Sequence, residues 1–237
     1  TYDCVHNQFF VSSFEDGQIY RIDHDSGAIL GSFDHGAPWS GNPGPVALGD
    51  RPFGLEVNGE QLYYALWNED MFNASTLTQN EIWSVRLDGV GMPVAGSEKL
   101  EIVLPDFHYY GNELYSSPVA DIDFSPTGTM LLGERTQGDI TTLIATHSRV
   151  LEYECVDGTW MLTSHVFNIG ENYVSYANAA GGVDATETNV WASADAMRLQ
   201  PGELMWGIQG LPASGGTVAD SWLIDYNNGI ADGEYPG

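Results

Sequence analysis

The sequence predicts an all-β protein, a β-propeller whose blades are antiparallel four-stranded sheets joined by long loops. Short apolar or alternating runs recur along the 237 residues and are separated by turn sequences rich in Asx and glycine. Aromatic residues make up 12% of the chain and 28 residues are glycine. Apolar residues at helical spacing do not extend over long stretches. These observations favour strands and turns over helices.

The clearest repeat unit is residues 119–135, where an alternating run, a Pro/Gly turn and a second apolar run predict an antiparallel hairpin. Second runs of this kind occur four times. Each has three mostly large apolar residues followed by a small one, as expected where neighbouring blades crowd the backbone. The four runs are residues 9–12, 62–65, 130–133 and 190–193.

Two further strands are predicted after each second run. The third strands are residues 19–23, 82–86, 150–154 and 204–208, and the fourth strands are about residues 28–33, 99–104, 160–168 and 218–226. Turns such as Asp88-Gly89 and Asp157-Gly158 separate them. The sequence therefore predicts four blades, and a five-bladed ring is the alternative. The first blade lacks an obvious opening strand, so residues 2–6 or a segment beyond this sequence are expected to close the ring.

The length and composition predict one acidic domain, residues 1–237. Its first residues do not resemble a signal peptide, so the domain is expected to be a piece of a longer protein. The chain has 33 Asp and Glu against 7 Lys and Arg, a formal net charge of -26. This charge repels polyphosphate and anionic lipid, which excludes nucleic acid and the membrane surface as expected partners. No apolar run reaches the ~18 residues of a membrane helix, so membrane insertion is not expected.

The two cysteines, Cys4 and Cys155, do not have the spacing of a zinc site. They predict either one disulfide, which fits an oxidising compartment, or two buried free thiols. Asn73-Ala74-Ser75 matches the acceptor pattern for N-glycosylation, a short pattern that arises often by chance.

Three carboxylates near the ends of the predicted opening strands are the candidate metal ligands: Glu56, Asp123 and Asp184. The innermost strands of a propeller line its central channel, so these side chains are expected to converge there. Converging like charges are costly unless they are protonated or bridged by a cation. Ca²⁺ is therefore the expected cofactor, with Asp121 able to replace Asp123 because both share one strand face. The alternative is that the carboxylates accept backbone hydrogen bonds between blades.

A second group of polar residues lies around the end of the 119–135 hairpin. As an enzyme, the chain would use His147 as a general base oriented by Glu134. In the structural interpretation, Arg135 and Arg149 pair with carboxylates such as Glu134 and Glu152 and hold the intervening loop. Since arginines are scarce in so acidic a chain, the structural interpretation is favoured.

The long linkers, residues 34–51, 105–118 and 170–180, are the predicted contact surfaces. Two of them are rich in tyrosine, which suits sugar stacking or protein contact. The alternative is that these rings cap the ends of the core. Motifs for a nucleophile elbow, a zinc protease helix, a phosphate-binding loop or a dinucleotide-binding turn do not occur in the sequence.

Several segments taken together resemble a known family. They are FEDGQIYRID at residues 14–23, LYYALWNED at 62–70 with NEIWSVRLDG at 80–89, SSPVADIDFSPTGTMLLGERT at 116–136 with HSRVLEY at 147–153, and NAAGGVDAT at 178–186 with VWASADAM at 190–197. The chain, from about residue 9 to 226, is similar to the propeller-like repeat region of large secreted or cell-surface bacterial proteins, often joined to SdrD-B-like or other immunoglobulin-like modules. The resemblance implies an extracellular location and a role in adhesion or assembly, with no catalytic residues to carry over.

These observations lead to three functional hypotheses. The first is a non-enzymatic extracellular module that contacts a surface protein, a glycan or copies of itself, stabilised by Ca²⁺. The second is a calcium-dependent propeller hydrolase of the lactonase or esterase type, in which Glu56, Asp123 and Asp184 hold the ion and His147 is the base. The third is a structural spacer. The sequence favours the first, because it combines rigid repeats and aromatic loops with no nucleophile motif.

Overall fold

A computed structural model describes residues 1–36, 41, 45–69, 78–105, 108–110, 113–138, 147–171, 176–200 and 203–225. Its strands form four antiparallel four-stranded sheets, which confirms the all-β prediction. No α-helix occurs in these ranges, and none of their helical residues forms a segment long and apolar enough to cross a membrane.

Each four-stranded sheet is built from strands that follow one another along the chain and pair in that order. The first sheet has β1 (Tyr2–Asp3), β2 (Gln8–Ser12), β3 (Gln18–Asp23) and β4 (Ile29–Asp34). The second has β5 (Pro52–Asn58), β6 (Gln61–Leu66), β7 (Glu81–Arg86) and β8 (Lys99–Val103). A two-stranded hairpin follows, β9 (His108–Tyr110) with β10 (Glu113–Tyr115).

The remaining two sheets repeat this meander. The third has β11 (Val119–Phe124), β12 (Met130–Glu134), β13 (Val150–Val156) and β14 (Thr159–Leu162). The fourth has β15 (Ala179–Ala185), β16 (Asn189–Gln200), β17 (Glu203–Pro212) and β18 (Trp222–Asp225). All four second runs found in the sequence therefore lie in the second strands of their sheets. β1 is the opening strand of the first sheet, which was not obvious from the sequence.

The chain divides into two compact units, Thr1–Ile122 and Asp123–Gly237. In the first unit, Phe10, Leu62 and Tyr64 belong to a core shared by the first two sheets. In the second unit, Leu131, Ala192 and Leu211 belong to a core that combines the third and fourth sheets. Alternate residues of these strands face the two cores, as the period of two in their sequences requires.

Two of the predicted fourth strands are shorter than expected. The strand predicted at residues 160–168 ends at Leu162, and Phe167 then forms only isolated bridges, with Val150 of β13 and with Gly216. Phe167 and Ile169 are buried in the core of the second unit. In residues 218–226, Val218–Asp220 form a 3-10 helix. Its capping box, in which Thr217 and Asp220 exchange hydrogen bonds, opposes an extended start to the strand.

Neighbouring sheets approach closely at the small residues of two second strands, β2 and β12. Ser12 donates a side-chain hydrogen bond to the carbonyl oxygen of Phe53 on β5, at 2.8 Å. On β12, a Cβ atom built on Gly133 would lie 2.4 Å from the carbonyl oxygen of Gly181 on β15. These contacts show the backbone crowding that the small residues predicted.

Neither alternative for the cysteines was correct. Cys4 and Cys155 are both free, and both are exposed rather than buried. Each lies in or beside a turn, Cys4 after β1 and Cys155 in β13 before the Asp157-Gly158 turn. The acceptor pattern Asn73-Ala74-Ser75 lies outside the described residues.

Candidate binding site

The predicted acids of the first unit lie near the first residue of the chain. Glu56 on β5 accepts a hydrogen bond from the Thr1 hydroxyl at 2.7 Å. The pKa of the Thr1 amino group is lowered by burial and raised by the negative charges of Glu56 and Asp121, which places both carboxylates close to this residue. Asp121 also accepts a hydrogen bond from the backbone N–H of Ile122 at 3.1 Å.

The predicted acids of the second unit form a second pair, Asp123 and Asp184. Burial raises the pKa of Asp123, and the negative charge of Asp184 raises it further. The Oδ2 atom of Asp123 is buried and has no hydrogen-bond partner, whereas Asp184 is exposed and accepts from the N–H of Ala185 at 2.7 Å. A buried, unpaired carboxylate oxygen beside another carboxylate favours binding of a proton or a cation.

The structure therefore shows these predicted metal ligands as two pairs, one in each unit. Among the described residues, no group of three or more His, Cys, Asp and Glu side chains is placed to hold a metal ion. Calcium binding by Glu56, Asp123 and Asp184, or with Asp121, stays a prediction.

Glu134, the candidate orienting residue for a catalytic His147, is the ion-pair partner of Arg149. Its side chain is 1% exposed, and its carboxylate accepts from Nη2 at 2.6 Å, Nε at 2.8 Å and the backbone N–H of Arg149 at 2.9 Å. Both carboxylate oxygens therefore accept hydrogen bonds from the Arg149 guanidinium, in the forked geometry that this group favours. Arg135 pairs with Asp195 instead.

His147 lies three residues before the start of β13. It adopts a left-handed backbone conformation, with φ of 77°, and burial lowers the pKa of its imidazole. Residues 139–146 lie outside the described residues. The role of His147 as a general base stays a prediction, whereas the pairing of Arg149 with Glu134 agrees with the structural interpretation.

The structure also shows a His–Glu pair that sequence reasoning missed. Glu152 on β13 is buried, and its carboxylate accepts hydrogen bonds from Thr129 Oγ at 2.8 Å, Thr163 Oγ at 3.0 Å and His165 Nδ1 at 2.6 Å. The sequence predicts an arginine as the ion-pair partner of Glu152. Folding the chain about the Asp157-Gly158 turn would have found the pair, because the β13–β14 register puts residue 163 opposite residue 152.

This His–Glu pair lies in a cleft of about 320 Å³, which we call the His165 cleft. His165 keeps 42% of its side chain exposed. Because Nδ1 is directed at Glu152, the Nε2 atom of the ring remains for another partner. The polar and aromatic residues lining the cleft include Arg149, Glu152, Thr163, His165, Asn168 and Tyr176.

A second candidate surface is the outer face of the fourth sheet, which we call the aromatic face. Trp191, Gly210 and Trp222 are direct partners across β16, β17 and β18, and Ile208 pairs with Ile224 one step along the same face. Trp222 is 71% exposed, Ile224 50% and Ile208 43%.

Gly210 allows the Trp191 indole to lie across the middle strand of this face. A Cβ atom at residue 210 would be 2.5–2.7 Å from three atoms of the indole ring, so any other residue would displace it. The opposite face of these strands carries the buried side chains of Ala192, Gln209 and Leu211. The rigid, buried inner face therefore supports an apolar, exposed outer face.

No protein-family model, curated protein or solved structure matches this chain. The resemblance to propeller-like surface repeats stays an expectation from the sequence segments. The features from which a function can be proposed are the acid pairs, the His165 cleft and the aromatic face.

Proposed function

We propose that this chain is an extracellular, non-enzymatic β-propeller module that contacts a protein or a glycan at a bacterial surface. The main support is the aromatic face, where exposed Trp222 lies beside two exposed isoleucines on a well-packed sheet. Tryptophan supplies a large contact area with little conformational entropy to lose, which is why it is enriched at binding hot spots. An exposed apolar patch of this kind is typical of an interaction site.

The propeller arrangement is part of the proposal and is supported by the packing within each unit. The inner edge strand of one sheet contacts the second strand of the sheet before it, as at Ser12 with Phe53 and at Gly133 with Gly181. Sequential four-stranded meanders that pack in this manner are the building blocks of propellers. Binding residues on such a scaffold are held in place by the sheets.

Calcium stabilisation is a further part of the proposal, and its support is the Asp123–Asp184 pair. The buried Oδ2 of Asp123 has no protein donor, and a divalent cation would satisfy it while cancelling the repulsion between the two carboxylates. The Glu134–Arg149 ion pair argues against the hydrolase alternative, because Glu134 is engaged by Arg149 through both of its oxygens.

The test is binding of the purified chain to a glycan array and to bacterial surface proteins, compared with Trp222→Ala. We expect binding that weakens by about tenfold or more in the variant, the loss typical of a hot-spot aromatic residue. Val90→Ala is a matched control, since Val90 is similarly exposed but lies in the first unit. Failure of the chain to bind any glycan or surface protein would contradict the proposal.

A further inference from the structure

We propose that the His165 cleft is a binding site for a neutral saccharide unit. The cleft and the aromatic face are lined by different residues, so this site goes beyond the surface contact described above. Three features support this site: the orientation of His165, the mixture of groups around it, and the charge of the chain.

The imidazole of His165 is held in one orientation before any ligand arrives. Its Nδ1–H donates to Glu152 at 2.6 Å, and Glu152 is itself fixed by the hydroxyls of Thr129 and Thr163. With Nδ1 bonded to Glu152, Nε2 is the ring nitrogen that faces a ligand. A pre-oriented imidazole suits a ligand hydroxyl, which can donate or accept, because little side-chain entropy is lost when the two meet.

The other groups in the cleft match the two kinds of surface on a sugar ring. Tyr176 is 53% exposed and offers an aromatic plane for the C–H face of the ring. Asn168 offers an amide that both donates and accepts, which suits hydroxyl groups. A volume of about 320 Å³ is at the lower end of small-molecule sites, consistent with one or two sugar units.

The charge of the chain decides the class of saccharide. With a formal charge of -26, the protein repels uronic, sialic, sulfated and phosphorylated sugars over the range of its field. Arg149 is the cation at the cleft wall, and its guanidinium is committed to Glu134. An uncharged sugar is therefore favoured over an anionic one.

The experiment uses the full chain on an array of neutral and acidic oligosaccharides, with four variants in parallel. We expect binding to neutral glycans, weakened about tenfold or more in both His165→Ala and Tyr176→Ala. His24→Ala is the matched control, because His24 also pairs with a carboxylate, Asp25 at 3.1 Å, but is in the first unit. Trp222→Ala reports on the aromatic face. Tyr176 is exposed, so its substitution tests the site even if His165→Ala lowers stability.

Each result separates this site from the surface contact. Neutral-glycan binding that survives both cleft substitutions but is lost in Trp222→Ala overturns the cleft proposal and keeps the proposed function. Preference for acidic glycans overturns the ligand class, and thus the proposal. Absence of glycan binding also overturns it, and the proposed function then depends on whether the chain binds a surface protein.

Discussion

Gly133→Ala tests how tightly the third and fourth sheets pack in the second unit. The added Cβ would lie 2.4 Å from the carbonyl oxygen of Gly181 and 3.1 Å from its carbonyl carbon. Since ordinary Cβ contacts are 3.4 Å or longer and almost none are shorter than 3.0 Å, strand β15 would have to move by 0.6–1.0 Å. Gly133 does not have a positive φ, so the backbone itself accepts alanine.

The expected cost is about 1–3 kcal/mol, the usual range for overpacking a well-filled interior. For a chain of this length, each kcal/mol lowers the melting temperature by about 2–4 °C, so a central cost of about 2 kcal/mol predicts a fall of about 4–8 °C. The assay is thermal unfolding followed by circular dichroism and calorimetry. Gly89→Ala is the matched control, because its Cβ would meet nothing within 4 Å and its φ is not positive.

The two glycines should therefore respond in opposite ways. Alanine at residue 89 should leave stability unchanged or raise it slightly, since it restricts the unfolded chain. If Gly133→Ala melts within about 1 °C of the wild type, β15 does not approach β12 as closely as described. The propeller arrangement would then be supported only by the contact between Ser12 and Phe53.

Four other predictions concern titratable groups. Glu134→Gln should lower the free energy of unfolding by about 3 kcal/mol, as for a broken buried ion pair. A double-mutant cycle with Arg149→Met measures the interaction energy of the pair. Additive effects of the two substitutions would show that the two side chains do not interact. Because folding raises the pKa of Asp123, wild-type stability should fall as pH rises through the ordinary range of a carboxyl group, and Asp123→Asn should remove that loss. Ca²⁺ should raise the melting temperature of the wild type but not of Asp123→Asn, and an equal response of both proteins would count against a cation between Asp123 and Asp184. Burial lowers the pKa of His35 in the folded protein, so stability should be lost as pH falls through the ordinary pKa of histidine, near 6.5. His35→Gln should flatten this dependence when unfolding is measured from pH 5 to 8. A pH profile unchanged by the substitution would refute the role of His35.

Much of the fold could be predicted because the relevant signals are local. Apolar runs and Asx-Gly turns are visible within a dozen residues, so the second and third strands of the first three sheets were predicted within about two residues. In the fourth sheet, β16 and β17 extend to Gln200 and Pro212, well beyond the predicted ends at residues 193 and 208. The exceptions are informative. A fourth strand was predicted at about residues 160–168, but β14 ends at Leu162. Phe167 is buried in the core of the second unit, where it forms isolated bridges with Val150 and Gly216. Only the packed structure reveals that burial.

The candidate sites were less predictable, because they depend on pairs of residues far apart in sequence. Calcium binding by the opening-strand acids stays a prediction, and the structure brings Asp184 close enough to Asp123 for its negative charge to raise the pKa of that carboxyl group. Their strands alone did not indicate that Glu56 and Asp121 lie beside Thr1. His165 appeared as an isolated histidine until the β13–β14 register placed it beside Glu152.

The sequence by itself determined the all-β class, the four-strand repeat, the small residue within each second strand and the strong negative charge. Those properties follow from side-chain size, backbone preference and composition, which do not depend on distant residues. The tertiary structure alone decided which charges meet: Glu134 with Arg149, Arg135 with Asp195, and Glu152 with His165. Partner choice depends on distance and on the water excluded around each group, and both are defined only after the sheets have packed.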